Sequence, residues 1–501
     1  MTITSQNQIR TRLWEAANIL RGSAVDRTDW KGYILPLLFF KRISDVWDEE
    51  STDATEVYGE TNPTLFPEIH RFDVPEGCHW RDVREVAANV GTALSRSMQE
   101  IERANPDTLY RVFGAADWGN REKFTDELLK DLIEAFSAIP LGNKVVNTDI
   151  LGDAYEYLVG RFADVTRRNK AGEFYTPRSV VRMMVDLLDP QEGESIYDPA
   201  CGTGGMLLAA IDHVERNGGD PRTFFGNIYG QEKNLTTASV ARMNLVLHGI
   251  EDFQIAREDT LRNPTFTDSS NGGLATFDCV IANPPFSLKE WGHEMWENDP
   301  WRRAQYGLPP KSYGDYAFVQ HMIASMAQGA NSRMAVVLPQ GALFRKGAEG
   351  KIRQALLEED LIEAVVGLAP NLFYGTSLAG SIMVLRRRKS PERKNKVLIV
   401  NASSMFRKGR AQNFLDPEHG DQIVEWIQNF EDVENHTKVV TLDEIKEEDW
   451  TLNISRYVLP PIGEDIPPLP EAVAEFKKAL AEARTAEDHL RTVLTEGGWL
   501  R

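Results

Sequence analysis

The segment from Phe277 to Phe286 carries the arrangement of most chemical interest in this 501-residue chain. An apolar run, Val280-Ile281-Ala282, leads straight into Asn283, Pro284, Pro285 and Phe286. Two consecutive prolines fix the backbone and remove two donors, which leaves the Pro284 carbonyl and the Asn283 side-chain oxygen as rigid acceptors. Such a pair suits an amino group. The exocyclic nitrogen of an aminopurine is a poor nucleophile because its lone pair is delocalised into the ring. Accepting its N–H bonds at two fixed points favours a pyramidal nitrogen whose lone pair faces an electrophile such as a methyl sulfonium carbon. Phe286 is then placed to stack on a base rotated out of its duplex, as enzymes acting on bases must arrange. An Asn-Pro pair alone would be read as a tight turn, so the weight rests on the full order of strand, Asn-Pro-Pro and aromatic.

A second candidate site lies upstream. A strand over Ser195 to Tyr197 is expected to end at Asp198, and Pro199, Ala200, Cys201, Gly202, Thr203, Gly204 and Gly205 then open a helix. Glycines there let backbone N–H groups approach a ligand without a Cβ collision. Glu232, at the end of the next expected strand, is an acid able to accept from both hydroxyls of a ribose. Asp259, past the third strand, is placed for the amino group of a nucleotide's adenine, although taken alone it reads as a helix cap. The turn is not the Gly-x-Gly-x-x-Gly of a dinucleotide site, and nothing near it looks like hydride chemistry. Before it, Glu173, Phe174, Tyr175, Thr176, Pro177 and Arg178 lead into a helix with Val180, Val181, Met184, Leu187 and Leu188 on its apolar side. Thr176 as N-cap and Pro177 at the first helical position account for the Thr-Pro pair. They leave Phe174 and Tyr175 unexplained: such aromatics are more often core residues, and the functional reading is that they cover a ligand.

The elements that must position these groups follow from periodicity. Residues 1–147 read as a helical domain, with helix-period apolar residues in Ile9 to Leu20, Ile34 to Trp47 and Leu128 to Phe136. From 148 to 458 short apolar runs alternate with amphipathic stretches, as in βα units on a mostly parallel sheet. Strands are expected at Ser195 to Tyr197, Ile228 to Gly230, Phe253 to Ala256, Phe277 to Ala282, Met334 to Leu338, Ala364 to Gly367, Ser381 to Leu385 and Val397 to Val400. These make one doubly wound, Rossmann-like α/β sheet. Residues 459–501 read as a Pro-rich linker and a C-terminal helix in which Val473, Phe476, Leu480, Ala483, Leu490 and Leu494 keep a heptad-like seam interrupted by Glu487. That seam suits a partner helix or the chain's own body equally well.

Composition excludes several classes. No apolar run approaches the ~20 residues of a membrane span, and the N-terminus lacks the features of a secretory signal. The three cysteines, Cys78, Cys201 and Cys279, form no C-x-x-C pair, so neither a disulfide framework nor a structural zinc site is expected. A cytoplasmic protein follows. The formal net charge of −19 opposes unaided gripping of a nucleic acid, which needs a basic face. Basic clusters at Arg167 to Lys170, Arg345-Lys346, Arg386 to Lys389 and Arg407 to Arg410 are the candidates for local phosphate contact, each more often a solvated face.

Together, Asp198 to Gly205, Glu232, Asp259 and Asn283 to Phe286 resemble the motifs of amino-group DNA methyltransferases. Gly172 to Arg178 ahead of them resembles the order of the gamma class of N6-adenine enzymes. More closely, these three segments resemble the modification subunit of type I restriction-modification systems. The helical N-terminus, Tyr313 to Phe318, Val337 to Pro339, Leu343 to Arg345 and Gly375 to Ser377 extend the likeness over most of the chain, with the tail matching least. The resemblance implies S-adenosyl-L-methionine as cofactor, held by Glu173 to Arg178, Thr203 to Gly205 and Glu232, with Asn283 to Phe286 as the catalytic motif. It also implies two such chains with one specificity subunit on DNA, to which a restriction translocase can add. A specificity subunit that grips the DNA would reconcile the acidic charge with a DNA substrate. Two rival readings stay open: a methyltransferase of a protein glutamine or an RNA amino group, and a non-catalytic scaffold of a defence complex.

Overall fold

The computed structural model describes residues 6–59, 69–146, 148–166, 176–268, 270, 272–373, 378–409, 412–459, 469–497 and 499. Residues 173–175, the basic run 167–170 and the segment 375–377 therefore lie outside the described residues.

Six helices come first: α1 (Gln6–Ala17), α2 (Lys31–Tyr58), α3 (Trp80–Arg84), α4 (Val90–Ala104), α5 (Asp126–Ser137) and α6 (Thr148–Thr166). Helix α5 shows why such segments coil. Thr125 caps it by accepting the Leu128 N–H, and Asp126 and Glu127 sit at its positive end. Leu129, Leu132, Ile133 and Phe136 then recur on one buried face. Asp126 also accepts from the backbone of Asn89 and Val90 and so fixes the start of α4. The core of this region includes Leu151, Ala154, Tyr155, Leu158 and Phe162 of α6.

The remaining helices are α7 (Arg178–Leu188), α8 (Gly205–Arg216), α9 (Leu235–Leu247), α10 (His293–Trp296), α11 (Asp315–Ala324), α12 (Ala348–Glu358), α13 (Pro417–Asn429) and α14 (Leu442–Glu447). They alternate with β1 (Ile196–Asp198), β2 (Ile228–Gln231), β3 (Gln254–Ala256), β4 (Thr267–Asp268), β5 (Gly273–Leu274), β6 (Cys279–Ala282), β7 (Arg333–Pro339), β8 (Ile362–Leu368), β9 (Gly380–Arg386), β10 (Lys396–Ala402) and β11 (Thr437–Thr441). Nine strands form one sheet in the order β11-β10-β8-β9-β7-β6-β1-β2-β3, and β4 and β5 form a separate antiparallel pair. The run β3-β2-β1-β6-β7 and the pair β8-β10 are parallel, whereas β9 runs antiparallel to both β7 and β8.

Side chains alternate across this sheet as the period of two demands. Ile196, Cys279, Ile281, Ala335, Val337, Ile382, Val384, Leu398 and Val400 join one apolar cluster with α7, α8 and α13. Their neighbours Tyr197, Val280, Met334, Val336, Met383, Leu385, Val397 and Ile399 join another with α11, α12 and α14. Both faces are covered, which is why the strands read as continuous apolar runs. All eight expected strands are present. The ninth, β11, was not expected because it is an antiparallel edge in which only Thr437 and Val440 are buried.

Helix α9 is buried all round. Ala238, Ala241 and Leu245 face the sheet cluster, while Val240, Met243, Val246 and Leu247 belong to the core of the N-terminal helices. Tyr155 of α6 donates to the Val240 carbonyl at 3.2 Å. Residues Met1–Val458 accordingly form one compact unit, and Leu459–Arg501 a second. The second unit contains α15 (Leu469–Glu496), none of whose residues is buried. Among the described residues no helix is long and apolar enough to cross a membrane, and all three cysteines are free and buried.

Candidate functional site

The chain proceeds from β1 to β2 and β3 on one side and from β6 to β7 on the other, so the strand order reverses between β1 and β6. Open α/β sheets bind ligands in the crevice outside the carboxyl ends of strands at such a reversal. Asp198 ends β1, Glu232 follows β2, Asp259 follows β3 and Asn283 follows β6. The fold thus delivers each of these residues to the same end of four adjacent parallel strands.

The Gly-rich turn is held from three directions. Asp198 accepts the Ala200 N–H at 2.9 Å, Glu232 accepts the Gly202 N–H at 3.1 Å, and Asn244 of α9 donates to the Thr203 carbonyl at 3.0 Å. Gly202 and Gly204 have φ of +55° and +81°, which favour glycine. A methyl group added at Gly202 or Gly205 would meet no protein atom within 4 Å, so both positions face open space. Gly204 instead lies over Ala241 and starts α8. The second oxygen of Glu232 accepts the Asn234 N–H at 2.7 Å. Asp259 accepts from the backbone of Leu261 and Arg262 and pairs with Lys233 at 2.9 Å, so it caps its own turn as well as facing the crevice end of β3.

Three residues that support the site escaped sequence reasoning. Thr260 donates to the Pro199 carbonyl at 2.6 Å and ties the loop after β3 to the turn after β1. Asn244 is one of four buried polar residues of α9, with Thr237, Ser239 and Arg242, and a carboxamide buried in such a helix was its signal. Asp315, 2% exposed, accepts the Ser287 N–H at 2.7 Å. Ser287 has a φ of 50°, and Asp315 pairs with Arg345, which also holds Glu349. The chain leaving Phe286 is therefore pinned by a buried carboxylate.

Thr176 corrects one expectation. The N-cap of α7 is Pro177, with no side-chain capping bond. The Thr176 hydroxyl instead accepts from Nδ2 of Asn283 at 2.7 Å. The other end of that carboxamide, Oδ1, is buried and has no hydrogen-bond partner among the described residues. Pro284 is buried, and Phe286 meets the ring of Phe373 edge-on at 5.9 Å.

The basic clusters are largely consumed internally. Arg386 pairs with Glu363, Arg387 donates to the Ile323 and Met326 carbonyls, and Lys389 pairs with Asp360. Arg345 pairs as described above, Lys346 with Asp449 and Arg407 with Asp416. These side chains serve the fold, which is in keeping with the acidic net charge.

Burial pushes the Asp198 carboxyl up to about 8, and the neighbouring Glu232 charge adds to the rise. A carboxyl whose folded pKa is raised contributes stability below its unfolded value of about 3.9 and loses it as pH climbs through the folded value. The ligand-free chain is therefore expected to lose thermal stability between pH 5 and pH 8 relative to Asp198→Asn, which stays neutral throughout. Parallel melting profiles for the two proteins over that range would contradict this.

The crevice, the acid after each of three strands and the rigid Asn-Pro-Pro together define a methyltransferase sheet of the nucleotide-cofactor kind. Residues 146–465 match the family described as N-6 DNA Methylase, and residues 9–136 match the HsdM N-terminal domain. The chain is similar to the MjaVII type I restriction enzyme methylase subunit of Methanocaldococcus jannaschii, at 34% identity over 91% of this chain and 78% of that protein. It is also similar to the MpnII methylase subunit of Mycoplasma pneumoniae, at 28% identity over 90% and 89% of the two chains. Among solved structures, the type I restriction-modification methyltransferase subunit of Streptococcus thermophilus superposes with a TM-score of 0.78 at 29% identity, over 91% of this chain and all of the other. The chain belongs to the N-6 DNA methylase family, and within it to the methylase subunits of type I restriction-modification systems. Membership implies the use of S-adenosylmethionine.

Proposed function

We propose that this subunit transfers a methyl group from S-adenosyl-L-methionine to N6 of an adenine rotated out of duplex DNA, and that Asn283 and Pro284 are the acceptors at the amino group. The observation that carries this reading is the buried, unpartnered Oδ1 of Asn283 at the carboxyl end of β6. Buried acceptors are rarely left unpaired without a reason. An incoming amino group supplies one.

S-adenosylmethionine, when bound, supplies a methyl group on a positively charged sulfur. The open space beside Gly202 and Gly205 and the carboxylate of Glu232 next to it support a nucleotide-like cofactor there. In this reading Glu173 to Arg178, Asp198, Ala200, Gly202 to Gly205, Glu232 and Asp259 form the cofactor pocket, Thr176 by its backbone alone because its hydroxyl is taken by Asn283. Asn283 Oδ1 and the Pro284 carbonyl each accept an N6–H bond, which draws the nitrogen lone pair out of ring conjugation. Pro285 keeps the turn rigid and Phe286 stacks on the base. Neither acceptor is a base of useful strength, so the proton that N6 sheds passes to water.

The acidic surface and the internally paired arginines favour a division of labour. A specificity subunit reads the sequence and carries much of the phosphate contact, two copies of this chain supply catalysis, and a restriction translocase joins the complex in the cytoplasm. The test is to incubate the chain with tritiated S-adenosylmethionine and genomic DNA from a strain lacking the system, with and without the specificity subunit, and to digest to nucleosides. N6-methyladenine formed only with the specificity subunit is the expected result. Methylation by the chain alone would overturn the division of labour; label in protein or RNA would overturn the substrate, and no label at all would favour a scaffold.

A further inference from the structure

We propose that Thr176 is a positioning residue for the Asn283 carboxamide, an inference that rests on the reading of Asn283 given above. The terminal torsion of an asparagine is soft and broad, so an acceptor oxygen on it keeps its aim only when something fixes the amide plane. One anchor is present: Nδ2 of Asn283 donates to the Thr176 hydroxyl at 2.7 Å, while Oδ1 is buried and has no partner among the described residues.

Both partners are stiff. Thr176 stands immediately before Pro177 and Asn283 immediately before Pro284, and a residue preceding proline is confined to extended backbone. Threonine adds a β-branched side chain with few χ1 options. The Pro177 carbonyl accepts from Val180 and Val181 at 2.9 and 3.0 Å, which fastens this segment to the first turn of α7. Val180 and Met184 of α7 are fully buried in the sheet cluster. From the other side, Asn283 extends β6, whose four residues are all buried. Two segments 107 residues apart are thus locked to the same core, and one hydrogen bond joins their tips.

A hydroxyl accepts from an amide nitrogen as readily as it donates to an amide oxygen. What Thr176 fixes is therefore the plane of the carboxamide, and the amino group of the base selects the orientation with oxygen outward. The hydroxyl is free for this task because it does not cap α7. Thr176 acts on the rate through Asn283, not by touching the reacting nitrogen.

The test uses the assembled complex with its specificity subunit, single-turnover methylation of genomic DNA from a strain lacking the system, and a range of S-adenosylmethionine concentrations. Thr176→Val keeps the shape and removes the hydroxyl. It is expected to lower the maximal rate about ten- to a hundredfold, the scale of leaving a buried polar group unsatisfied. The cofactor concentration for half-maximal rate stays within about threefold, and Thr176→Ser, which keeps the hydroxyl, recovers most of the rate. Thr176→Ala provides the same reading if valine lowers the melting temperature of the complex. The proposal is overturned if the valine and alanine variants keep the wild-type rate, if serine is no better than valine, or if the half-saturating cofactor concentration rises while the maximal rate stands. Asn283→Ala, assayed in parallel, separates this from the parent reading. Full activity there defeats the role of Asn283 itself, whereas an inactive Asn283→Ala beside an active Thr176→Val defeats only the positioning.

Discussion

Asn283→Ala is expected to lower single-turnover adenine methylation by about a hundredfold to a thousandfold or more, with assembly and cofactor binding retained. The magnitude follows from removing one of two fixed dipoles that act where charge develops, an effect of about that size in other enzymes. Truncation also leaves the Thr176 hydroxyl without its donor, but it breaks no core contact, because the side chain's only hydrogen bond among the described residues is to Thr176. The cofactor affinity should therefore stay within about threefold. Two measurements decide: methyl transfer at saturating cofactor, and cofactor binding by calorimetry. A variant that binds the cofactor normally and still methylates within about threefold of wild type would remove Asn283 from the chemistry.

The second large effect is on stability. Arg303 is 2% exposed and lies between the loop after β3 and His321 of α11. Its guanidinium grips both oxygens of Asp299 at 2.8 and 3.0 Å and donates to the Thr260 and Leu261 carbonyls at 3.0 and 2.9 Å. It also lies over the Trp296 ring at 4.3 Å and meets His321, whose pKa is pushed far down by burial and by this cation. Removing one partner of a buried pair leaves the other charge uncompensated, at a cost of about 3–5 kcal/mol. Arg303→Ala should lose that much in urea unfolding. It should also weaken cofactor binding, since Thr260 is the residue tied to Pro199. Arg303→Lys should recover little, because an ammonium cannot span the same fork. An alanine variant within about 1 kcal/mol of wild type would show that Arg303 does not hold this loop.

How much of this was legible in the sequence depends on what each residue's neighbours do. The strands were readable because both sheet faces are covered, so their apolar runs are unbroken. At the edge strand β11, where only Thr437 and Val440 are buried, the run breaks up and the strand hides among loops. The start of β6 was read two residues early: Phe277 donates to Ser325 and Asp278 accepts from Ser195, so side-chain and loop bonds replace the ladder there. The placement of Asp198, Glu232 and Asn283 at strand ends was legible because it follows from where the apolar runs stop. Thr176 was misread because a threonine before proline at a helix start has a sufficient local explanation, and its actual partner is 107 residues away. The partners of the basic clusters were likewise out of view, since the carboxylates that pair with Arg386 and Lys389 are distant in sequence.

Helix α9 gives the molecule an indivisible character. Through Asn244 and Ala241 it backs the turn at Thr203 and Gly204, and through Val240, Met243, Val246 and Leu247 it completes the core of the N-terminal helices. A fragment beginning at residue 146 would carry every proposed catalytic group and would also present an oily stripe on the rod that supports the Gly-rich turn. Such a fragment would be sticky before it was active. The helical half is thus the missing wall of the sheet half, separated from the turn by one helix.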